Sequence, residues 1–123
     1  MAISKTIILL DDDDAVREAV TFALETHGYS VQAFAHPGAL PAVAELAKAA
    51  CLIIDQVLPG EAGLTLLARL RDQGLTRPAI LITTSPPPVM QDVADHLAAV
   101  IVEKPLLGDR LFSVVERLLT AAA

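Results

Sequence analysis

TIILLDDDD at residues 6–14 joins a short apolar run to four consecutive aspartates. Isoleucine and threonine in a run of this length favour a β-strand, and the acids mark its carboxyl end. The next segment, 14–27, has apolar residues at helical spacing and is followed by Gly28, a residue type that commonly ends helices. Acids at the start of a helix also suit its positive end. The stretch therefore predicts a strand, a carboxylate-rich turn and a helix.

Four more apolar runs follow, and each is followed by a segment with helical spacing. The predicted strands are 6–10, 30–34, 51–54, 79–83 and 99–103, and the predicted helices are 14–27, 38–49, 64–73, about 86–97 and 107–120. Strands that alternate with helices in this way indicate a parallel α/β sheet with helices on both faces. We therefore expect a doubly wound, flavodoxin-like five-stranded sheet with the strand order 2-1-3-4-5.

Polar residues follow the predicted strands at the edge where such sheets bind ligands. They are residues 11–14 (DDDD), Asp55, residues 83–85 (TTS) and residues 103–104 (EK). Clustered carboxylates repel one another, whereas a hard cation such as Mg²⁺ takes oxygen ligands and reverses that effect. A lysine and a hydroxyl can bind phosphoryl oxygens, and an aspartate can be a covalent acceptor. This edge predicts a site for Mg²⁺ and a phosphoryl group.

The composition of the chain disfavours several classes of function and indicates its compartment. The chain has 15 acidic and 9 basic residues, a net charge of −6 that disfavours direct binding to nucleic acid. The one cysteine, Cys51, excludes an internal disulfide and favours a reducing cytoplasm. No apolar run reaches the ~20 residues of a membrane span, so we expect no membrane segment. The 123 residues fit one domain, 1–123, with a core of about 5–120.

Four motifs resemble, in order, the receiver domain of bacterial response regulators in two-component systems. They are ILLDDDDAVREAV at 8–20, LIIDQVLPGEAGLTLL at 52–67, PAILITTS at 78–85 and VIVEKPL at 100–106. Each lies at a predicted strand end, so together they are far more specific than any one alone. The resemblance implies the CheY-like form of the fold. It also implies a phosphorylation-controlled signalling domain that catalyses only its own phosphoryl transfer and hydrolysis.

The resemblance gives three residues a role in phosphoryl transfer. Asp55 would be the phosphoacceptor, Thr83 would donate to the phosphoryl group and carry the switch, and Lys104 would neutralise a phosphoryl oxygen. The phosphodonor would be a histidine kinase or a histidine phosphotransfer protein. The peptide between Lys104 and Pro105 is expected to be cis, a form that costs little only before proline.

Mg²⁺ is the cofactor that the resemblance implies, with Mn²⁺ as a substitute. Asp12 would hold the metal directly, Asp11 partly through water, and Asp55 and the backbone carbonyl of Val57 would supply further ligands. The next two acids of the run, 13 and 14, are expected to cap the first helix and to lie in solvent.

Three features depart from the family pattern. Ile101 occupies a position where many receivers carry tyrosine or phenylalanine, so the output need not follow the usual coupling of that ring to the switch threonine. A triple proline, 86–88, stiffens the loop before the fourth helix, which we expect to be atypical. Val57 has no side-chain amide or carboxylate to orient water, so we expect that the phosphorylated form is not among the fastest to hydrolyse itself.

Several functions are compatible with these residues. The favoured one is a single-domain regulator, monomeric or weakly dimeric, that relays the phosphoryl group or changes a docking surface. A receiver fragment of a transcriptional regulator or hybrid kinase, and a phosphorylation-independent docking module, are the alternatives. An aspartate-nucleophile phosphatase is disfavoured, because Asp55 is followed by Gln56 and Val57 rather than by a second aspartate, and no residues are left for a cap domain.

Overall fold

Five parallel strands form the centre of the computed structural model, which describes residues 5–106 and 109–122. The strands are β1 (Thr6–Leu10), β2 (Ser30–Phe34), β3 (Cys51–Asp55), β4 (Ala79–Thr83) and β5 (Ala99–Glu103). Their order is β2-β1-β3-β4-β5, and each neighbouring pair is parallel. The predicted flavodoxin-like topology is therefore confirmed. Asp55, predicted to follow the third strand, is its last residue.

The helices agree with the prediction except in one segment. They are α1 (Asp14–Thr26), α2 (Val43–Leu46), α3 (Gly63–Asp72), α4 (Pro88–His96) and α5 (Arg110–Ala122), with a 3-10 turn at Pro37–Ala39. The continuous helix predicted over 38–49 is wrong. Proline disfavours helical backbone in the residue before it, and Leu40, which precedes Pro41, is extended with φ −68° and ψ 143°.

The closing helix is predicted from Leu107, which lies outside the described residues, and α5 is described from Arg110. Among residues 5–106 and 109–122, no helix combines the length and the apolar character needed to cross a membrane.

Helices cover both faces of the sheet. One layer joins alternate strand residues to α1 and α5, and its buried members include Leu9, Ile53, Ile80, Leu24 and Val115. The other layer joins the remaining strand residues to α2, α3 and α4, and its buried members include Leu52, Ile54, Leu81, Leu67 and Ala94. The central strands β3 and β4 are buried along their whole length, as expected for parallel strands covered on both sides. Burial also raises the pKa of the Cys51 thiol to about 12, so this residue packs as a small apolar side chain.

The register aligns the carboxyl ends of the central strands at one edge. Asp55 pairs with Ile82, and Thr83 pairs with Glu103. The backbone N–H of Lys104 extends the ladder by donating to the carbonyl of Thr83 at 2.8 Å. Side chains at the ends of neighbouring strands are therefore brought together although they lie far apart in the chain.

Candidate functional site

Asp55 lies at the centre of this edge, with its side chain almost fully buried. The backbone N–H of Val57 donates to its Oδ1 at 3.3 Å, and the Lys104 ammonium donates to its Oδ2 at 3.3 Å. Within the described residues, each oxygen of the carboxylate thus has one donor. Lys104 is 31% exposed, so its ammonium faces both the buried carboxylate and the opening of the site.

The backbone around Asp55 packs so closely that residue 63 must be glycine. A Cβ added at Gly63 would overlap the carbonyl oxygen of Asp55 and would lie 3.0 Å from Cα of Gln56. The N–H of Gly63 donates to the carbonyl of Gln56 at 2.8 Å, and the N–H of Leu64 donates to Gln56 Oε1 at 2.8 Å. The first turn of α3 is therefore held directly against the phosphoacceptor candidate.

Asp11 follows β1 and is fully buried. Its Oδ1 accepts a hydrogen bond from the backbone N–H of Asp13 at 2.9 Å. Its Oδ2 is buried and has no hydrogen-bond partner among the residues that the structure describes. A buried carboxylate oxygen without a donor is costly, so this atom marks a position suited to a cation or an ordered water.

Three carboxylates converge beside this atom. Asp11, Asp12 and Asp55 each offer one oxygen, and the three oxygens lie within 4.8 Å of one another. Burial raises the pKa of Asp11; the hydrogen bond from Asp13 and the charge of Lys104 oppose this rise, whereas the charges of Asp55 and Asp12 add to it. A divalent cation would reverse this repulsion, and an all-oxygen donor set with one exposed member fits Mg²⁺ with its retained waters.

Thr83 and Val57 lie at the same edge of the sheet as this carboxylate cluster. Thr83 ends β4 and is buried, and its backbone contacts that of Lys104. The peptide between Lys104 and Pro105 is cis, as the resemblance implies. Val57 pairs with Ala62 in an isolated antiparallel bridge and exposes 73% of its surface. The structure therefore places every predicted site residue at one edge of the sheet.

The other two acids of the run have different partners. Asp13 accepts from the N–H of Val16 at 3.1 Å and caps α1, as predicted. Asp14 pairs with Arg17, whose Nη1 donates to the carbonyl oxygen of Asp11 at 2.8 Å.

Sequence reasoning missed three contributors to the site: Arg17, Gln56 and Gly63. The only sequence signal for Arg17 is its position one helical turn after Asp14. The roles of Gln56 and Gly63 depend on where α3 begins relative to β3, which periodicity locates only to within a few residues.

The fold and its acidic pocket together define a class of protein, the receiver domains of signal transduction. The chain belongs to the response regulator receiver domain family, whose model matches residues 7–116. Members of this family are signalling domains rather than classical enzymes, and they use Mg²⁺ in an acidic pocket.

Curated relatives of the chain are longer proteins. The chain is 32% identical over 115 residues to the transcriptional regulatory protein FixJ of Bradyrhizobium diazoefficiens, covering 89% of this chain and 54% of that protein. It is 31% identical over 119 residues to the tetrathionate response regulatory protein TtrR of Salmonella typhimurium, covering 96% of this chain and 58% of that protein. The chain thus spans about half the length of these relatives.

Solved structures share the fold. The chemotaxis protein CheY4 of Vibrio cholerae superposes with a TM-score of 0.81 at 22% identity, over 94% of this chain and 99% of that one. A CheY-like receiver domain protein of Methanospirillum hungatei gives 0.83 at 22% identity, over 97% and 96%. At this level of identity the likeness supports the fold alone.

Proposed function

We propose that Asp55 accepts a phosphoryl group from the phosphohistidine of a histidine kinase or histidine phosphotransfer protein, in the cytoplasm and with Mg²⁺. One observation carries the proposal: the Asp55 carboxylate contacts Lys104 and offers an oxygen within 4.8 Å of oxygens from Asp11 and Asp12. In this proposal residues 1–123 act as one domain, as a monomer or a weak dimer.

The transfer itself needs one nucleophile and several charge-stabilising groups. An oxygen of Asp55 attacks phosphorus while the bond from phosphorus to the donor imidazole nitrogen breaks and its electron pair returns to the ring. Lys104, already 3.3 Å from Asp55 Oδ2, would bind an oxygen of the transferred group as a point charge. The Thr83 hydroxyl would donate to another phosphoryl oxygen and carry the switch. Later hydrolysis of the aspartyl phosphate returns the domain to its starting state.

Four groups would hold the metal: the carboxylates of Asp11, Asp12 and Asp55, and the backbone carbonyl of Val57. Bound Mg²⁺ supplies positive charge that offsets both the carboxylates and the phosphoryl oxygens. Asp12 is exposed, which leaves room for water ligands on its side of the site. The buried Asp11 Oδ2, unpaired within the described part of the chain, supports this assignment because a cation or its water would satisfy it.

Intact-mass spectrometry after incubation with phosphoramidate or acetyl phosphate tests the proposal. We expect one phosphoryl adduct that requires Mg²⁺ and is absent from Asp55→Asn. The matched control is Asp72→Asn, which makes the same change at an exposed residue ending α3 and should leave the adduct unchanged.

Two results would contradict the assignment. An adduct of equal yield in Asp55→Asn would place the phosphoryl group elsewhere. A wild-type protein that binds Mg²⁺ but forms no adduct with small donors or with purified phosphotransfer proteins would favour a phosphorylation-independent docking module.

A further inference from the structure

Arg17 connects the acidic run to the first helix. Its Nη1 donates to the carbonyl oxygen of Asp11 at 2.8 Å, and its Nη2 pairs with the carboxylate of Asp14. The Arg17 side chain is only 20% exposed, whereas that of Asp14 is 84% exposed. A planar guanidinium holds two acceptors in a fixed relative geometry, which a lysine ammonium on a flexible stem does not. Arg17 therefore fixes the turn between β1 and α1 from the solvent side.

The contacts of Asp11 show what this arginine controls. The N–H of Asp11 donates to the carbonyl of Phe34 at 3.1 Å, and its Oδ1 accepts from Asp13. The carbonyl that Arg17 binds belongs to the planar peptide joining Asp11 to Asp12. Holding this peptide sets the backbone direction from which the next carboxylate, Asp12, extends. The peptide that Arg17 binds thus joins two of the three residues whose carboxylates cluster.

We propose that Arg17 is a positioning residue for the metal site and that Asp14 acts through Arg17. This inference rests on the proposed function, since it needs the three-carboxylate cluster to bind Mg²⁺. In this arrangement each of the four aspartates at 11–14 has a different role. Asp11 and Asp12 offer ligands, Asp13 caps the helix, and Asp14 orients the arginine that holds the Asp11 peptide.

The charge of Arg17 and its positioning role predict opposite changes in Mg²⁺ affinity when the residue is replaced. A guanidinium close to a cation site repels the cation, so Arg17→Met should strengthen Mg²⁺ binding if charge were its only influence. If Arg17 instead orients the peptide between two ligands, Arg17→Met should weaken binding despite the lost repulsion. The sign of the change in affinity therefore separates the two explanations.

Calorimetric titration of the unphosphorylated full chain with Mg²⁺ measures this sign. We expect Arg17→Met to weaken Mg²⁺ binding roughly tenfold, the scale seen when a group supporting a metal ligand is lost. Arg17→Lys keeps the charge and should give an intermediate affinity. The Mg²⁺ concentration for half-maximal phosphorylation should rise in Arg17→Met, while the rate at saturating Mg²⁺ stays close to that of the wild type.

A double-mutant cycle tests the role of Asp14. Asp14→Asn should weaken Mg²⁺ binding in the wild type and have no effect in Arg17→Met, because its influence passes through that arginine. The control is Glu18→Gln, which removes the same charge from an exposed position on the same helix and should leave the affinity nearly unchanged. Thermal unfolding checks that each variant is folded. If Arg17→Met does not fold, the cycle is run with Arg17→Lys, which keeps the charge but not the planar geometry of the contact.

The outcomes distinguish this inference from the proposed function. Tighter or unchanged Mg²⁺ binding in Arg17→Met overturns the positioning role of Arg17. An equal effect of Asp14→Asn with and without Arg17 overturns the role of Asp14. Neither result bears on the proposed function. A wild-type protein that neither binds Mg²⁺ nor forms an adduct overturns the proposed function, and the positioning role with it.

Discussion

Two regions of the molecule are attached to the rest of the fold in different ways. The pocket edge is the set of carboxyl strand ends around Asp55, and the α4 region is helix α4 with the two residues that follow it, 88–98. At the pocket edge, Asp55 is held by a backbone N–H, by Lys104 and by the close approach of Gly63. In the α4 region, by contrast, Ala94 is the one fully buried residue of the helix, and Val89 and Val93 are 64% and 42% exposed. The pocket edge is thus tightly constrained, and α4 is not.

Arg71 of α3 supplies much of the polar attachment that α4 does have. Its Nε donates to the carbonyl of Leu97 at 2.9 Å, and its Nη2 lies 3.4 Å from that of Ala98. The Nη1 donates to the carbonyls of Leu75 and Arg77 at 3.0 and 2.8 Å. Only the carboxyl end of α4 is held in this way. We therefore expect that substitutions in the α4 region alter the surface of this domain without altering the phosphoryl chemistry at the pocket edge.

The largest expected effect comes from Gly63→Ala, which attacks the pocket edge. The added methyl group would overlap the backbone of Asp55, so β3 and α3 must separate. We expect a loss of about 3 kcal/mol in the free energy of unfolding, the upper range for overpacking, and loss of the phosphoryl adduct. Urea denaturation and intact mass measure the two.

The matched control for that change is Gly38→Ala. A Cβ there would approach only the flexible ring of His36, at 3.4 Å, so stability should change little. Equal effects of the two substitutions would show that the backbone near Asp55 is less constrained than the comparison requires.

The same contrast explains how much could be predicted from sequence. Four of the five strands have the predicted bounds, because short apolar runs rich in β-branched residues and bounded by turn residues favour strands over other secondary structure. The predicted site residues converge because they follow parallel strands whose ends must align. The prediction of one continuous second helix was wrong because Pro41 interrupts an alanine-rich pattern. The contacts of Arg17, Gly63 and Arg71 depend on distances between elements, about which a periodic pattern carries no information.

Arg71→Met tests the other side of the comparison. Four backbone carbonyls would lose a charged donor, and we expect a loss of about 2 kcal/mol in stability. The initial rate of phosphorylation, measured well below the melting temperature, should be retained because none of these carbonyls lies at the pocket edge. Arg69→Met is the control, since Arg69 lies on the same helix but pairs with Glu61 at the surface. A fall in phosphorylation rate in folded Arg71→Met would show that the two regions are coupled.

Asp11→Asn tests how much the buried carboxylate of Asp11 costs the folded protein. Without Mg²⁺ the substitution should raise the free energy of unfolding by about 1 kcal/mol at neutral pH, because it removes a buried charge whose Oδ2 lacks a donor within the described residues. The pKa of Asp11 is raised in the folded protein, so the folded state binds the proton more tightly than the unfolded state.

The pH dependence follows from that sign. The stability of the wild type relative to the variant should fall as pH rises from the ordinary value of 3.8 through the raised pKa. Saturating Mg²⁺ should reverse the order by stabilising the wild type more than Asp11→Asn. Chemical denaturation over a pH series measures both, and a flat difference would mean that the pKa of Asp11 is the same in the folded and unfolded states.

The smallest expected effect comes from Val57→Asn. This substitution tests whether hydrolysis of the aspartyl phosphate depends on the pocket edge and not on the α4 region. Val57 is 73% exposed beside Asp55, and its side chain has no polar group that can orient a water molecule. An amide at this position should speed hydrolysis of the aspartyl phosphate severalfold, a change of about 1 kcal/mol or less in the barrier. Val89→Asn makes the same substitution on the exposed surface of α4 and should leave the hydrolysis rate unchanged. If both variants hydrolyse at the wild-type rate, residue 57 does not limit access of water. If both accelerate, the α4 region reaches the phosphoryl group and the separation of chemistry from surface fails.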